Sequence, residues 1–279
     1  MKRIQIIILC IALLFTTFSM TACQTENTLT VRLYSGVTAA FYERPFPYVN
    51  TDPSLWYQED MFEFEKRYEK YPRDTIYLRI KNGELWGLEE RPSSLDTLMC
   101  YRGYFVGHDM GEWGGGVVYY DNTVVDEEGK TQLVAEVVDL DHSFVDFATD
   151  RDRYLYEKGY LLTRHYIFLL EEKRTEEGEG PVWTPIVHVE GAQRVITSGA
   201  MWDGLLYYTT NQGLFCYVDG TSFSLSALPQ IFWDHTTYGM VAMEGKLYLT
   251  TDYGIYEYDT ETGHERLYST YCEELAKKK

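Results

Sequence analysis

The chain has 279 residues, of which 45% are apolar and 16% aromatic, and it carries a formal net charge of −18 at pH 7. This length suits one large all-β domain, or one domain with a small appendage. The negative charge repels phosphate backbones, and no basic cluster occurs apart from Lys277–Lys279, so the composition argues against nucleic acid as a partner.

The first residues have the pattern of an export signal. Lys2 and Arg3 precede an apolar run from Ile4 to Phe15, and the small residues Thr21 and Ala22 directly precede Cys23. A basic start, a short apolar core and small residues before a cut are typical of a secretory signal. The apolar core is shorter than the ~20 residues that span a bilayer.

This segment resembles the signal of bacterial lipoproteins, in which the cysteine after the cut takes a diacylglyceryl group. Thr21 and Ala22 match the lipobox of that family, whereas Met20 stands where leucine is usual. The resemblance covers residues 1–23 and implies a mature chain that is held at a membrane surface by lipid on Cys23. Two alternatives remain open, an uncleaved membrane anchor and an ordinary secretory signal that leaves Cys23 as a thiol.

The remaining chain divides into four segments. Beyond the signal peptide at residues 1–22, we expect residues 23–30 to be the lipidated cysteine and a polar tether, and residues 31–72 to be an N-terminal segment with one amphipathic helix. Residues 73–272 form the main β-domain, and residues 273–279 form a charged tail.

The helix in the N-terminal segment is predicted between two prolines. Asp52 and Pro53 have the pattern of an N-cap and first helical residue, and Pro72 would end the helix. Large apolar residues between them recur at helical spacing, namely Tyr57, Met61, Phe64, Tyr68 and Tyr71. Because they share one face, we expect the helix to pack against the β-domain.

A repeat in the C-terminal third indicates the fold. Residues 202–219 and 243–259 align at a constant offset of 41 residues, so that Gly204 matches Gly245 and Gly213 matches Gly254. Each unit consists of a strand, a short turn that contains glycine, and a second strand. Repeats of roughly 40–45 residues built from strands are typical of β-propeller blades. The alternative is a duplicated hairpin within a β-sandwich.

Weaker copies of this pattern occur upstream. Asn82-Gly83 separates two alternating segments and is a strong hairpin signal, and residues 116–121 and 159–170 indicate further strands. At the observed period, residues 76–272 have room for about five units. We therefore predict an all-β, β-propeller-like fold of about five blades with an N-terminal helical appendage.

Residues 107–116 are the best candidate for a ligand site. Five glycines surround polar and aromatic side chains in this segment, and we take His108, Asp109, Glu112 and Trp113 as candidate ligand-binding residues. The segment has neither the lysine of a phosphate loop nor the glycine spacing of a dinucleotide site. The alternative is a tight crossing between strands with Trp113 buried.

Metal and cysteine chemistry receive little support. The cluster of Asp139, Asp141, Asp146, Asp150 and Asp152 lacks the EF-hand pattern and is interpreted as an acidic strand edge and turn. No two histidines are closer than 23 residues, so no local metal pair exists. Cys100 and Cys216 are predicted to be buried core residues, and a bridge from Cys216 to Cys272 remains open.

The sequence thus favours an extracytoplasmic lipoprotein with a ligand-binding, protein-binding or scaffold role. No nucleophile elbow or cysteine–histidine signature is present, so we do not expect catalytic residues, a metal or a cofactor. Expected partners are the membrane, through the lipid, and an envelope protein or glycan. The alternative is a carbohydrate-active or other hydrolytic enzyme, whose carboxylates would come from separate blades around a funnel.

Overall fold

The described part of the chain consists of β-strands. The computed structural model describes residues 28–35, 40–48, 76–89, 97–100, 102–109, 115–138, 144–149, 158–172, 181–190, 195–226, 239–251 and 254–268. These ranges contain twenty strands and no helix, which confirms the all-β prediction. They accordingly include no helix that could cross a membrane. The helix expected between Pro53 and Pro72 lies outside the described residues.

The strands form five four-stranded sheets, numbered here in chain order. Sheet 1 contains β1 (Thr28–Ser35), β2 (Ala40–Pro47), β3 (Tyr77–Lys81) and β4 (Glu84–Leu88). Sheet 2 contains β5 (Thr97–Met99), β6 (Gly103–Asp109), β7 (Gly115–Val125) and β8 (Thr131–Val138). Sheet 3 contains β9 (Phe144–Thr149), β10 (Lys158–Thr163), β11 (Tyr166–Glu172) and β12 (Pro181–His188). Sheet 4 contains β13 (Ile196–Trp202), β14 (Leu205–Thr210), β15 (Gly213–Val218) and β16 (Thr221–Ser226), and sheet 5 contains β17 (Met240–Met243), β18 (Lys246–Thr251), β19 (Gly254–Asp259) and β20 (Glu265–Tyr268).

Sheets 2 to 5 are antiparallel meanders in which neighbouring strands follow one another along the chain. Four-stranded sheets of this kind, repeated along the sequence, are the building units of propellers. The arrangement is therefore propeller-like, with the five units that the period predicted. The repeated segments are the two central strands of sheets 4 and 5, β14 with β15 and β18 with β19.

Sheet 1 is built differently, because β1 pairs in parallel with β4 and the strand order is β2-β1-β4-β3. The sheet therefore takes residues 28–47 from the segments that the sequence assigned to the tether and to the N-terminal appendage. The β-domain therefore begins well before residue 73, where the sequence placed its start. No local sequence pattern predicts the pairing of β1 with β4, because paired residues such as Arg32 and Trp86 are far apart along the chain.

Two-residue turns with positive φ at both central residues connect several of the hairpins. They are Asn82-Gly83, Asp203-Gly204, Asp219-Gly220 and Glu244-Gly245. Positive φ at both positions is what a type I′ turn requires, and this turn matches the right-handed twist of the flanking strands. The hairpin predicted at Asn82-Gly83 is confirmed.

A threonine closes the central hairpin in three of the sheets. The hydroxyl of Thr163 accepts a hydrogen bond from the amide of Tyr166 at 3.0 Å, and that of Thr210 accepts one from Gln212 at 3.0 Å. The hydroxyl of Thr251 donates to the carbonyl of Gly254 at 3.2 Å. These three threonines thus stabilise the turns, since threonine hydroxyls readily bond nearby backbone groups.

Buried hydrophobic clusters join neighbouring sheets in a row. Phe105 and Phe147 belong to the cluster between sheets 2 and 3, and the next clusters join sheet 3 to sheet 4 and sheet 4 to sheet 5. A fourth cluster, with Leu33 and Ile255, joins sheet 5 to sheet 1. Each fully buried Leu, Ile or Phe side chain contributes roughly 1.5–3 kcal/mol to stability. The row of packed sheets thus runs 2, 3, 4, 5, 1.

Candidate ligand-binding site

Sheets 1 and 2 are the two ends of this row. Among the described residues, no buried hydrophobic cluster joins sheet 1 to sheet 2. The face of sheet 1 or sheet 2 that lies opposite its buried hydrophobic cluster is called here its end face. These two end faces carry most of the aromatic side chains that remain partly accessible in the two sheets.

The end face of sheet 1 carries an aromatic group formed by Tyr34, Phe41 and Trp86. Side chains alternate between the two faces of β1, so Val31 and Leu33 are buried against sheet 5 while Tyr34 points to the end face. The ring centroids of Tyr34 and Phe41 are 4.9 Å apart, and those of Phe41 and Trp86 are 5.1 Å apart with an edge-to-face angle of 80°. Such geometry is favourable for aromatic pairs.

Cations surround Trp86 on this face. The guanidinium of Arg32 lies 5.0 Å and the ammonium of Lys81 lies 4.9 Å from the centroid of the indole ring. Arg32 also pairs with Glu43 at 3.4 Å and with Glu84 at 3.2 Å. Within the described structure the Trp86 indole nitrogen is buried without a hydrogen-bond acceptor, which costs about 1–3 kcal/mol. An acceptor atom of a bound molecule would remove this cost.

The end face of sheet 2 carries a pair of stacked tyrosines. Tyr104 and Tyr120 lie opposite each other on β6 and β7, with ring centroids 5.0 Å apart and planes tilted by 15°. Both are half-buried, as are Val106 and Val118 beside them, and His108 follows as an exposed residue on the same face. Tyrosine hydroxyls and an imidazole thus stand on one side of a strand pair.

Only part of the ligand segment predicted from the sequence is described. His108 lies opposite Gly116 and is exposed, and the backbone of Asp109 lies opposite Gly115 at the end of the same hairpin. Glu112 and Trp113 fall in residues 110–114, which lie outside the described residues. Cys23 lies outside them as well.

One glycine of that segment has a packing role. A Cβ atom on Gly107 would overlap the ring of Phe144, at a separation closer than carbon atoms can approach. Gly107 therefore allows β6 to pack directly on sheet 3. At Gly107, glycine is therefore required by close packing between strands, which is the alternative that the sequence analysis left open for this segment.

A buried carboxylate fixes the other end of the β6–β7 hairpin. Asp121 is 6% exposed, accepts hydrogen bonds from the Thr123 amide at 2.8 Å and hydroxyl at 2.6 Å, and pairs with Arg102 at 3.3 Å. Burial by itself raises the pKa of Asp121, but the Thr123 hydrogen bonds and the Arg102 charge outweigh it and lower the pKa below its ordinary value. The contacts of Asp121 thus stabilise the β6–β7 strand pair at the end that lies away from its turn.

Sequence reasoning missed a second buried carboxylate, Glu257 on β19, which is 2% exposed. Its oxygens lie 3.3 Å from the Lys246 ammonium and 3.6 Å from the Arg266 guanidinium, and Tyr268 donates to it at 3.2 Å. Burial, followed by the Glu257 charge, raises the pKa of the neighbouring Tyr248 hydroxyl. The arrangement is an ion-pair network within sheet 5. Its members come from three strands, so no local motif signals it.

The predictions for metals and cysteines can be compared with the described residues. These contain no group of three or more His, Cys, Asp or Glu side chains that could hold a metal ion. Of the five clustered aspartates only Asp146 is described, and it accepts a hydrogen bond from the adjacent Phe147 amide at 2.8 Å. Cys100 and Cys216 are buried in hydrophobic clusters, as predicted, and burial raises the pKa of the Cys216 thiol. Cys272 lies outside the described residues.

No family model and no curated protein matches the sequence. Among solved structures, a prolyl endopeptidase is 12% identical with a TM-score of 0.37, and the match covers 60% of this chain and 25% of that one. The extracellular domain of a one-component system from B. thetaiotaomicron is 13% identical with a TM-score of 0.30, over 82% of this chain and 38% of that one. This chain thus spans well under half the length of either, and scores this low establish no shared function.

Proposed function

We propose that the protein is a lipid-anchored, extracytoplasmic binding protein whose five sheets are the blades of a β-propeller. The lipobox at residues 20–23 supports the anchor on Cys23. The single structural observation that supports binding is the stacked pair Tyr104–Tyr120, half-buried on one face of β6 and β7 beside the exposed His108.

The chemistry of this face favours a neutral, hydroxyl-rich ligand such as an envelope glycan. The rings of Tyr104 and Tyr120 offer apolar surface, and their hydroxyls, together with the His108 imidazole, offer hydrogen-bond donors and acceptors. The strands of sheet 2 contain no lysine or arginine, and the whole chain carries a charge of −18, so a polyanionic ligand would be repelled.

Calorimetric titration of the purified lipoprotein with neutral envelope oligosaccharides tests this proposal. We expect binding that Tyr104→Ala and Tyr120→Ala each weaken by roughly tenfold, which corresponds to the ~1.4 kcal/mol of one tenfold step in affinity. His188→Ala is the matched control, because His188 stacks on Tyr166 of sheet 3 at 4.4 Å in a similar tyrosine-containing pair. Equal losses in all three variants would contradict the assignment.

The same titration separates binding from hydrolysis. If the oligosaccharide is cleaved during the experiment, and new reducing ends accumulate, the alternative of a carbohydrate-active enzyme replaces the binding role. If an envelope protein rather than a glycan binds at Tyr104 and Tyr120, the proposed ligand class is wrong but the proposed site is correct.

A further inference from the structure

Sheet 1 is the sheet closest to the proposed anchor. Its first strand begins at Thr28, five residues after Cys23. An extended chain spans at most ~3.6 Å per residue, so Thr28 lies within roughly 18 Å of the lipid-bearing cysteine. Any role of sheet 1 at the membrane therefore rests on the proposed anchoring at Cys23.

Sheet 1 also differs from the other sheets in charge. Among the strands that the structure describes, only those of sheet 1 carry more cations than carboxylates. The cations are Arg32, Arg44, Arg79 and Lys81, and the carboxylates are Glu43 and Glu84. In a chain of net charge −18, this sheet is therefore the part of the described fold that an anionic lipid surface repels least and attracts most.

The outer edge of sheet 1 exposes large aromatic side chains. Phe41 is 58% and Tyr42 is 40% exposed, and both lie on β2, the outermost strand. Because they are consecutive, they point to opposite faces and flank the edge on both sides. Aromatic side chains flanked by cations are favoured where a membrane meets water. Pro45 and Pro47 on the same strand hinder the addition of another strand, so pairing with a protein edge is disfavoured.

The dimensions allow this edge to lie along the membrane. Phe41 lies opposite Tyr34, six residues along β1 from Thr28, which is about 20 Å at the rise of a β-strand. The tether from Cys23 to Thr28 reaches roughly 18 Å, which is similar to this length of β1. Both the Thr28 end and the Phe41 end of the β1–β2 hairpin can therefore approach the same membrane surface.

We propose that the β2 edge of sheet 1 rests on an anionic membrane surface, with Phe41 and Tyr42 at the interface and Arg32 and Arg44 near the lipid headgroups. The diacylglyceryl cysteine supplies attachment, and the sheet supplies orientation. Sheet 1 then faces the membrane, while the other four sheets, whose strands carry no excess of cations, are directed away from it.

Hydrogen exchange of the lipidated protein in nanodiscs tests the orientation. We expect amides of residues 40–47 to exchange several-fold more slowly in nanodiscs that contain phosphatidylglycerol than in nanodiscs of phosphatidylcholine alone. The double variant F41S/Y42S should lose this difference. The variant also removes the ring contacts of Phe41 with Tyr34 and Trp86 and the hydrogen bond from Tyr42 to Glu89, so the signal from residues 195–226 checks that the fold is retained. The matched control is V124S/V125S, which changes two exposed residues of sheet 2 and should keep the difference.

Two results would overturn the docking proposal. Equal exchange of residues 40–47 in both lipid compositions would show that the edge does not contact the membrane, and anchoring through Cys23 would be unaffected. Loss of the lipid dependence in V124S/V125S but not in F41S/Y42S would place the contact on sheet 2. Failure of the anchor itself is distinguishable, because the protein then does not enter nanodiscs through Cys23 and its N-terminal peptide carries no lipid.

Discussion

The hydroxyl of Tyr268 donates a hydrogen bond to the buried carboxylate of Glu257, at 3.2 Å from Oη to Oε2. Tyr268 also forms an isolated antiparallel bridge with Tyr48, which comes directly after β2, and the two rings are 5.9 Å apart. One tyrosine therefore connects the charge network of sheet 5 to the outer strand of sheet 1. This contact joins the last sheet of the chain to the first.

Removing the Glu257 charge should weaken this junction. We expect Glu257→Gln to lower the free energy of unfolding by about 2 kcal/mol. The value is below that of a fully buried pair because the Lys246 and Arg266 side chains are 33% and 35% exposed. Urea denaturation measures the change. Glu43→Gln is the control, since Glu43 pairs with Arg32 at the surface and its loss should cost less than about 1 kcal/mol. Equal effects would contradict the structural role of Glu257.

Glu265 should make the folded protein more stable at acidic pH than at neutral pH. Burial raises the pKa of Glu265 above its ordinary value of 4.5, although hydrogen bonds with Ser226 and Tyr256 partly offset this. The folded protein thus keeps a proton that the unfolded chain releases, so this contribution is present below the unfolded pKa and is lost as pH rises through the folded pKa.

Glu265→Gln should therefore be more stable than the wild type at pH 7 and similar to it at pH 4. Thermal unfolding at both pH values measures this difference. Glu261→Gln, an exposed carboxylate in the preceding turn, is the control and should show no such trend. A gain in stability for Glu265→Gln at pH 4 alone would reverse the sign and refute the argument.

One hairpin turn is not optimal for its backbone conformation. Glu244 has φ of 52°, whereas Asn82 occupies the same position of its turn with φ of 55°. Asparagine tolerates this region better than glutamate because its short side chain bonds the local backbone. We expect Glu244→Asn to raise the free energy of unfolding by roughly 0.5 kcal/mol, and Asn82→Glu to lower it by a similar amount. A loss of stability in both variants would show that Glu244 has another role.

The sequence predicted those parts of the fold that depend on local chemistry. Positive φ in the hairpin turns and the constant offset between Gly213 and Gly254 are readable because a turn is specified by adjacent residues. The pairing of Arg32 with Trp86 was not predicted, because parallel pairing of distant strands leaves no periodic signal. For the candidate site, His108 was selected because of its unusual glycine-rich surroundings, and its role in binding stays a prediction. Tyr104 and Tyr120 were missed because they become neighbours only through the β6–β7 register in a chain with 25 tyrosines.

The packing role assigned to Gly107 can be tested separately from ligand binding. We expect Gly107→Ala to lower the free energy of unfolding by about 1–3 kcal/mol, because the added methyl group would overlap the Phe144 ring. Chemical denaturation measures the loss. In a double-mutant cycle with Phe144→Leu, the combined effect should be smaller than the sum. His108→Ala is the control and should change stability little. Strict additivity would show that Gly107 and Phe144 do not interact.

The N-terminal peptide of protein extracted from membranes tests the central claim most directly. Mass spectrometry should find that the mature chain begins at Cys23 and that this residue carries a diacylglyceryl group. The Cys23→Ala variant should keep residues 1–22 and carry no lipid. A wild-type chain that begins at Cys23 without lipid, or that retains residues 1–22 in the membrane, would contradict the account of a lipid-anchored binding protein.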